Sequence, residues 1–204
     1  MSFKSKLCIG AMLFVSQSAL ATDFDFNGVF NNDNDVELFN FSVASASTIT
    51  IFSSSWVNGG LDPFLALWDN TGAFIVGQDD GNNVGSTLSN AVSYNHGIWD
   101  TYYSVALSAG NYTASVAQYA NFNAGANLSD GFLYSGAGNE NFTTIYGCSN
   151  GQFCGFSSDN RNSDWAFHIL NVESATTPTV PEPTSLALLS IGLAGFAASR
   201  RRKQ

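Results

Sequence analysis

The sequence predicts an all-β fold, an antiparallel β-sandwich of jelly-roll type, for the central part of the chain. Between Thr22 and about Asn171 no amphipathic stretch is long enough for a helix. Short runs of alternating polar and apolar residues recur there instead, bounded by Gly, Asn and Asp. Hydrophobic residues make up 45% and aromatic residues 14% of the 204 residues, which is enough to bury one core.

At least eight strands are expected along this central part. They cover residues 23–26, 35–43, 47–52, 64–68, 73–76, 101–107, 112–119 and 164–172. The run 64–68 is apolar on both faces, as a strand in the middle of a sandwich is, and the Asp, Asn and Gly of 69–72 predict a turn after it. The Gly- and Asn-rich segment 120–163 is predicted to be a long loop or to add a minor hairpin.

The N-terminal 21 residues have the pattern of a secretory signal. Lys4 and Lys6 precede a short apolar run, and the segment ends in a small-residue A-x-A site with cleavage expected after Ala21. The apolar run is too short to span a bilayer. Residues 1–21 are therefore predicted to be a cleaved signal, and residues 22–173 an exported β-sandwich ectodomain.

The C-terminus has three consecutive parts after a linker at 174–180. Pro181, Glu182 and Pro183 are followed by an apolar segment, 186–199, predicted to form a short membrane helix, and by a basic stop at 200–203. In this arrangement residues 181–204 resemble the sorting tail of PEP-CTERM proteins of Gram-negative bacteria. The resemblance implies recognition by an exosortase, a membrane enzyme that processes such proteins near the motif.

The charge distribution excludes nucleic acid as a partner. The chain carries 16 acidic and 7 basic residues, for a formal net charge of -9. Between Lys6 and Arg200 the sole Lys or Arg is Arg161. Binding to phosphates requires clustered basic side chains, and none are present in the ectodomain.

The order of several short motifs resembles the bacterial pre-peptidase C-terminal domains, which are β-sandwiches. These motifs are DVELFNF at 35–41, LDPFLALWDNTG at 61–72, DDG at 79–81 and LSAGNYTASV at 107–116. The resemblance implies an accessory or surface module rather than a catalytic one.

Two cysteines remain once the signal is removed. Cys148 and Cys154 are close together in a Gly-rich segment of an exported chain, so a disulfide is predicted. A zinc site is the alternative, but His96 and His168 are far away in the sequence.

One short motif raises the question of catalysis. The segment 147–151 fits the G-x-S-x-G pattern of a hydrolase nucleophile, with Ser149 at its centre. Such an elbow needs a buried strand before it and a helix after it, and neither is predicted here. No catalytic residue is assigned.

Acidic clusters beside predicted strands suggest a calcium site. Asp33 and Asp35 precede one strand, and Asp79 and Asp80 follow another, so their carboxylates are candidate hard oxygen ligands. The alternative is that these residues simply form turns and solubilise the surface. Calcium is accordingly the candidate cofactor.

Two tryptophans lie near predicted loops rather than within strands. Trp56 precedes Asn58-Gly-Gly60, and Trp99 follows Asn95-His-Gly97. They are candidates for stacking on a sugar, and packing at a strand end is the alternative.

These features predict an exported protein without enzymatic activity. It would pass through an inner-membrane intermediate to the cell surface or the extracellular polysaccharide matrix of a Gram-negative bacterium. A structural or adhesive role is expected first, a calcium-assisted glycan-binding module second and a secreted hydrolase third. The expected partners are the Sec-type export machinery, an exosortase and extracellular polysaccharide.

Overall fold

The computed structural model describes residues 21–178 and is built from β-strands throughout that range. Within it the helical segments are short 3-10 turns at Trp56–Asn58, Leu128–Asp130 and Phe142–Tyr146. No helix in this part of the chain has the length and apolar character needed to span a membrane. The predicted membrane helix at 186–199, the Pro-Glu-Pro motif and nearly all of the predicted signal lie outside the described residues.

The strands follow the sequence prediction closely, with three additions. In chain order they are β1 (Thr22–Val29), β2 (Val36–Val43), β3 (Ser47–Ser53), β4 (Pro63–Asp69), β5 (Phe74–Gln78), β6 (Gly85–Ser89), β7 (Val92–His96), β8 (Tyr102–Leu107), β9 (Gly110–Gln118), β10 (Asp164–Val172) and β11 (Ser174–Thr176). The additions are β6, β7 and β11.

Two antiparallel sheets face each other across one core. Their strand orders are β1-β10-β3-β8 and β11-β2-β9-β4-β5. Apart from β4 and β5, which are neighbours in one sheet, and the separate β6–β7 hairpin, successive strands alternate between the two sheets, which is the arrangement of a β-sandwich. Inward side chains such as Phe39, Ile51, Leu65, Val116 and Phe167 are completely buried, and the alternation along each strand places every second residue in this core.

The β6–β7 hairpin covers the outer face of the first sheet. Its two-residue turn, Asn90 and Ala91, has positive φ values of 48° and 64°, as a type I′ hairpin requires. Asn90 hydrogen-bonds to Asp25 at 2.9 Å, and the ring of Tyr94 lies 4.1 Å from that of His168. The hairpin therefore shields aromatic and polar side chains that would otherwise face solvent.

The C-terminal boundary of the sandwich lies further along the chain than the sequence predicts. Residues 174–176, expected to be linker, form β11 and pair with β2. The segment between β9 and β10 is the predicted long loop, with two 3-10 turns and isolated bridges. It contains the predicted disulfide between Cys148 and Cys154.

The antiparallel register defines two ends of the sandwich. Thr22 pairs with Val172 and Val43 with Gly110 at one end, which we call the terminal end. At the other end, Pro63 pairs with Gln118. The loops that leave this second end follow β1, β3, β5, β7 and β9 and carry most of the predicted site residues.

Candidate functional site

A cleft of about 190 Å³ opens among the loops at the end of the sandwich opposite the terminal end. It combines acidic side chains with aromatic ones. It is lined by Trp56, Asp62, Asp79, Asp80, Trp99, Tyr119, Gly155, Phe156, Ser157 and Asp159. Four of the predicted site residues, two tryptophans and two aspartates, thus converge on one place.

Three carboxylates form the acidic part of the cleft. One oxygen each of Asp62, Asp79 and Asp80 lies within 4.8 Å of the other two. Asp62 directly precedes β4, and its carbonyl accepts a hydrogen bond from the Tyr119 N–H at 2.7 Å. The residue after the two aspartates is a glycine, Gly81, because the backbone packs directly against β8 at this point. A Cβ at Gly81 would lie 2.5 Å from the backbone nitrogen of Tyr102.

The carboxylates disfavour one another's ionisation. Burial, with repulsion from Asp79 and Asp80, raises the pKa of Asp62 to about 7. Burial and repulsion from Asp80 raise the pKa of Asp79 to about 7 as well. Oδ1 of Asp79 is inaccessible to solvent and has no hydrogen-bond partner in the described structure. A cation in the cleft would relieve the repulsion among the three carboxylates.

Aromatic rings form the other part of the cleft. The Trp56 and Trp99 rings lie 6.3 Å apart at 51° to each other. Trp99 is 42% exposed and Phe156 is 69% exposed, although such large apolar side chains normally find cover. Phe156 is held edge-on against Tyr119, with ring centres 6.3 Å apart.

A buried aspartate positions the two tryptophans. Asp100 is completely buried and directly follows Trp99. Its Oδ1 accepts hydrogen bonds from the backbone N–H of Trp56 and the hydroxyl of Ser53, both at 2.9 Å. Its Oδ2 accepts one from the backbone N–H of Gly97, also at 2.9 Å. Asp100 therefore ties the 3-10 turn that carries Trp56 to the loop that carries Trp99.

The structure places Asp33 and Asp35 away from the acidic cluster, contrary to the predicted calcium site. Asp33 is completely buried and accepts hydrogen bonds from the Thr143 N–H and hydroxyl and from the Phe153 N–H. Asp35 accepts the N–H groups of Asn31 and Asn32 at 2.8 and 2.9 Å. Both carboxylates are thus used to hold loops, and Asp62 is the third member of the cluster instead.

The serine of the G-x-S-x-G motif is not beside a histidine. The Ser149 hydroxyl donates to Asn160 at 3.0 Å. A Ser-His-Asp arrangement occurs elsewhere: Nε2 of His168 is 3.0 Å from the Ser54 hydroxyl, and Nδ1 is 2.7 Å from Asp25. Ser54 and His168 are 3% and 1% exposed beneath the hairpin, so both are closed to solvent, and Asp25 joins them to Asn90 of the hairpin.

A second, larger groove of about 550 Å³ is shallow and lies at the terminal end. Its acidic residue, Asp69, already accepts hydrogen bonds from the N–H groups of Thr71 and Ala73 at 2.8 and 3.0 Å. The groove holds no cluster of carboxylates, so the smaller cleft is the better candidate site.

Sequence patterns alone identified part of the cleft. Asp62 lies within a quoted motif but was not among the predicted ligands, because it precedes a strand that is distant in sequence from Asp79. No sequence pattern indicates that Tyr119 or Phe156 belongs to a site. Tyr119 is the last residue of a predicted strand, and Phe156 lies in the long loop. For Asp100, the adjacent Trp99 was the only available indication.

Comparison with known proteins identifies the C-terminal tail. Residues 179–202 match the PEP-CTERM protein-sorting motif. The match indicates an exported protein that transits the membrane and is sorted to the cell surface by an exosortase. None of the curated proteins matches the chain, and the expected resemblance to pre-peptidase C-terminal domains stays a prediction.

Proposed function

We propose that the ectodomain is a non-catalytic surface or matrix component that adheres to extracellular polysaccharide through the cleft. The observation that carries this proposal is the exposed Trp99 ring beside the Asp62, Asp79 and Asp80 carboxylates. Aromatic faces stack on the apolar faces of sugar rings, while carboxylates accept hydrogen bonds from hydroxyl groups.

The position of the cleft supports the same role. β10 runs from the cleft end to the terminal end, and β11 begins there and runs back along β2 as far as Asn40. The last described strand before the tail therefore lies in the terminal half of the sandwich, while the cleft lies at the opposite end. Such an orientation suits contact with a surrounding matrix.

A pull-down with polysaccharide from the producing strain tests the proposal. Trp99→Ala should weaken binding about tenfold, the loss expected for one stacked ring and its buried area. Leu88→Ala removes a 66% exposed side chain on the hairpin and serves as the control. Equal binding by both variants and the wild type would show that the cleft is not the adhesive surface.

A calcium-assisted version of this role is the second candidate. It is favoured by the three carboxylate oxygens within 4.8 Å of one another, since calcium prefers such oxygen ligands. Thermal melts with calcium and with chelator, at matched ionic strength, test it. A shift that Asp80→Asn abolishes supports the ion, and superimposable curves mean that the cluster does not bind it.

A further inference from the structure

The cleft concentrates acidic side chains, and no basic side chain among the described residues forms a salt bridge with them. Besides the three clustered carboxylates, Asp159 also lines it. Arg161 is the single Lys or Arg among residues 21–178, and it donates from Nε to the Gly60 carbonyl at 2.7 Å and from Nη2 to the Trp56 carbonyl. The guanidinium forms no salt bridge with the acidic cluster among the described residues. Burial is the main cause of the raised pKa of Asp62, and the charge of Arg161 opposes it only in part.

The apolar part of the cleft lies beside that charge. Trp99 and Phe156 present exposed rings to the same space that Asp79 and Asp80 line. A ligand that fills the cleft must therefore offer an apolar face to the rings and a positive group to the carboxylates. It must also be small, since the volume is about 190 Å³.

One oxygen of Asp79 is buried without a hydrogen-bond partner in the described structure, so holding the carboxylates together is costly. Oδ1 of Asp79 is shielded from solvent and accepts no hydrogen bond within the described part of the chain. A buried acceptor without a partner is costly, on the order of 1–3 kcal/mol. An ammonium group carries three N–H donors and a full positive charge, so it matches the three carboxylates of Asp62, Asp79 and Asp80, which each place one oxygen within 4.8 Å of the others.

We propose that the cleft recognises an amino sugar: a pyranose unit whose free ammonium group contacts Asp62, Asp79 and Asp80 while its ring packs on Trp99. This inference rests on the proposed polysaccharide-binding function and names its ligand class. The polymer would contain hexosamine units that are not N-acetylated, because acetylation removes the positive charge and adds bulk.

The aromatic rings distinguish this ligand from a calcium ion in the same cleft. Calcium takes six to eight oxygen ligands, and the rings of Trp99 and Phe156 supply none. Cations also bind favourably to the faces of aromatic rings, which an ammonium group at the edge of a sugar ring can use. The combined lining therefore fits an organic cation better than a bare metal ion.

Two oligosaccharides that differ only in N-acetylation test the inference. Titration calorimetry would compare a glucosamine oligomer with its fully N-acetylated counterpart of equal length and linkage, on the folded ectodomain at about pH 6, where the amines are largely protonated. The glucosamine oligomer should bind at least about tenfold more tightly, which corresponds to about 1.4 kcal/mol. Addition of calcium should weaken its binding by competition, and a chelator should leave it unchanged.

Matched charge variants separate recognition from general attraction to an acidic protein. Asp80→Asn should lose about tenfold in affinity for the glucosamine oligomer and leave binding of the acetylated oligomer unchanged. Glu173→Gln removes one exposed negative charge near the terminal end and should have little effect. Equal losses in the two variants would overturn the inference.

The outcomes also distinguish this inference from the proposed function. Equal or tighter binding of the acetylated oligomer overturns the amino-sugar assignment and leaves polysaccharide binding intact. Glucosamine binding that requires calcium overturns it as well, in favour of the ion. If neither oligomer binds, the assignment fails, and the pull-down with Trp99→Ala decides the broader function separately.

Discussion

The guanidinium carbon of Arg161 lies 4.3 Å from the centre of the Trp56 ring. The same side chain donates hydrogen bonds to the carbonyl oxygens of Gly60 and Trp56, so it holds both the ring and the backbone of the 3-10 turn. Together with Asp100, which accepts the Trp56 N–H, it fixes one wall of the cleft from two sides.

Arg161→Lys should loosen this wall although it keeps the positive charge. A lysine cannot donate to two carbonyls through a planar fork and stack on the ring at the same time. We expect a loss of about 1–2 kcal/mol in unfolding free energy. Acrylamide quenching of tryptophan fluorescence should increase. Unchanged quenching would mean that the packed loops alone position Trp56.

Asp33→Asn should destabilise the fold without affecting ligand binding per folded molecule. Three donors from Thr143 and Phe153 converge on the two oxygens of this buried carboxylate. In the asparagine variant an NH2 group replaces one of these oxygens, so one donor would face another donor. Denaturant titration should show a loss of about 3 kcal/mol. Asp35→Asn, in the same loop, should cost about 1 kcal/mol, because Asp35 is less buried and accepts two N–H groups within its own loop. Equal effects would contradict the different roles assigned here.

Asp79→Asn should stabilise the protein in a pH-dependent manner. The pKa of Asp79 is about 7 in the folded state, raised by burial and by Asp80, against a usual value of 3.8. The folded state therefore binds the proton more tightly, and ionisation lowers stability as pH rises from about 4 to about 7. The gain in melting temperature should be largest above pH 7 and should shrink toward pH 4. A gain that is constant with pH would refute this.

Reduction of the disulfide should affect the cleft more than the sandwich. Cys148 and Cys154 close a loop with a sequence separation of 6, and the cleft residues Gly155 and Phe156 follow it directly. Reduction should lower stability by about 2 kcal/mol and weaken ligand binding. The near-ultraviolet signal of the core between the two sheets, to which Trp165 belongs, should persist, and its collapse would show that the bridge supports the whole fold.

Processing at both ends should be visible in protein isolated from the producing cells. Intact-mass measurement should give a chain that begins at Thr22 and lacks Arg200 to Lys203, as the signal and the sorting motif at 179–202 predict. Combined substitution of Pro181, Glu182 and Pro183 should trap the protein in the inner membrane. Recovery of the full tail on surface-exposed protein would instead indicate a plain anchor.

Most of the fold could be predicted because each core strand carries its own local pattern. The alternation in β3 and the doubly apolar β4 identify strands without reference to any neighbour. The β6–β7 hairpin was missed because its outward residues, such as Leu88 and Val92, are 66% and 50% exposed, so apolar positions there do not mark a buried face. β11 was missed because three residues are too few for a period.

The sequence by itself determined the all-β class, the cysteine pair, the sorting tail and the presence of acidic and aromatic residues in loops. Local hydrogen bonding, side-chain alternation and short motifs are properties of neighbouring residues, so they can be read along the chain. Only the tertiary structure decided which loops meet. The register between strands that are distant in sequence brings Asp62 close to Asp79 and Trp56 close to Trp99. Asp33 is instead buried against Thr143 and Phe153, where it accepts their hydrogen bonds and stabilises the fold.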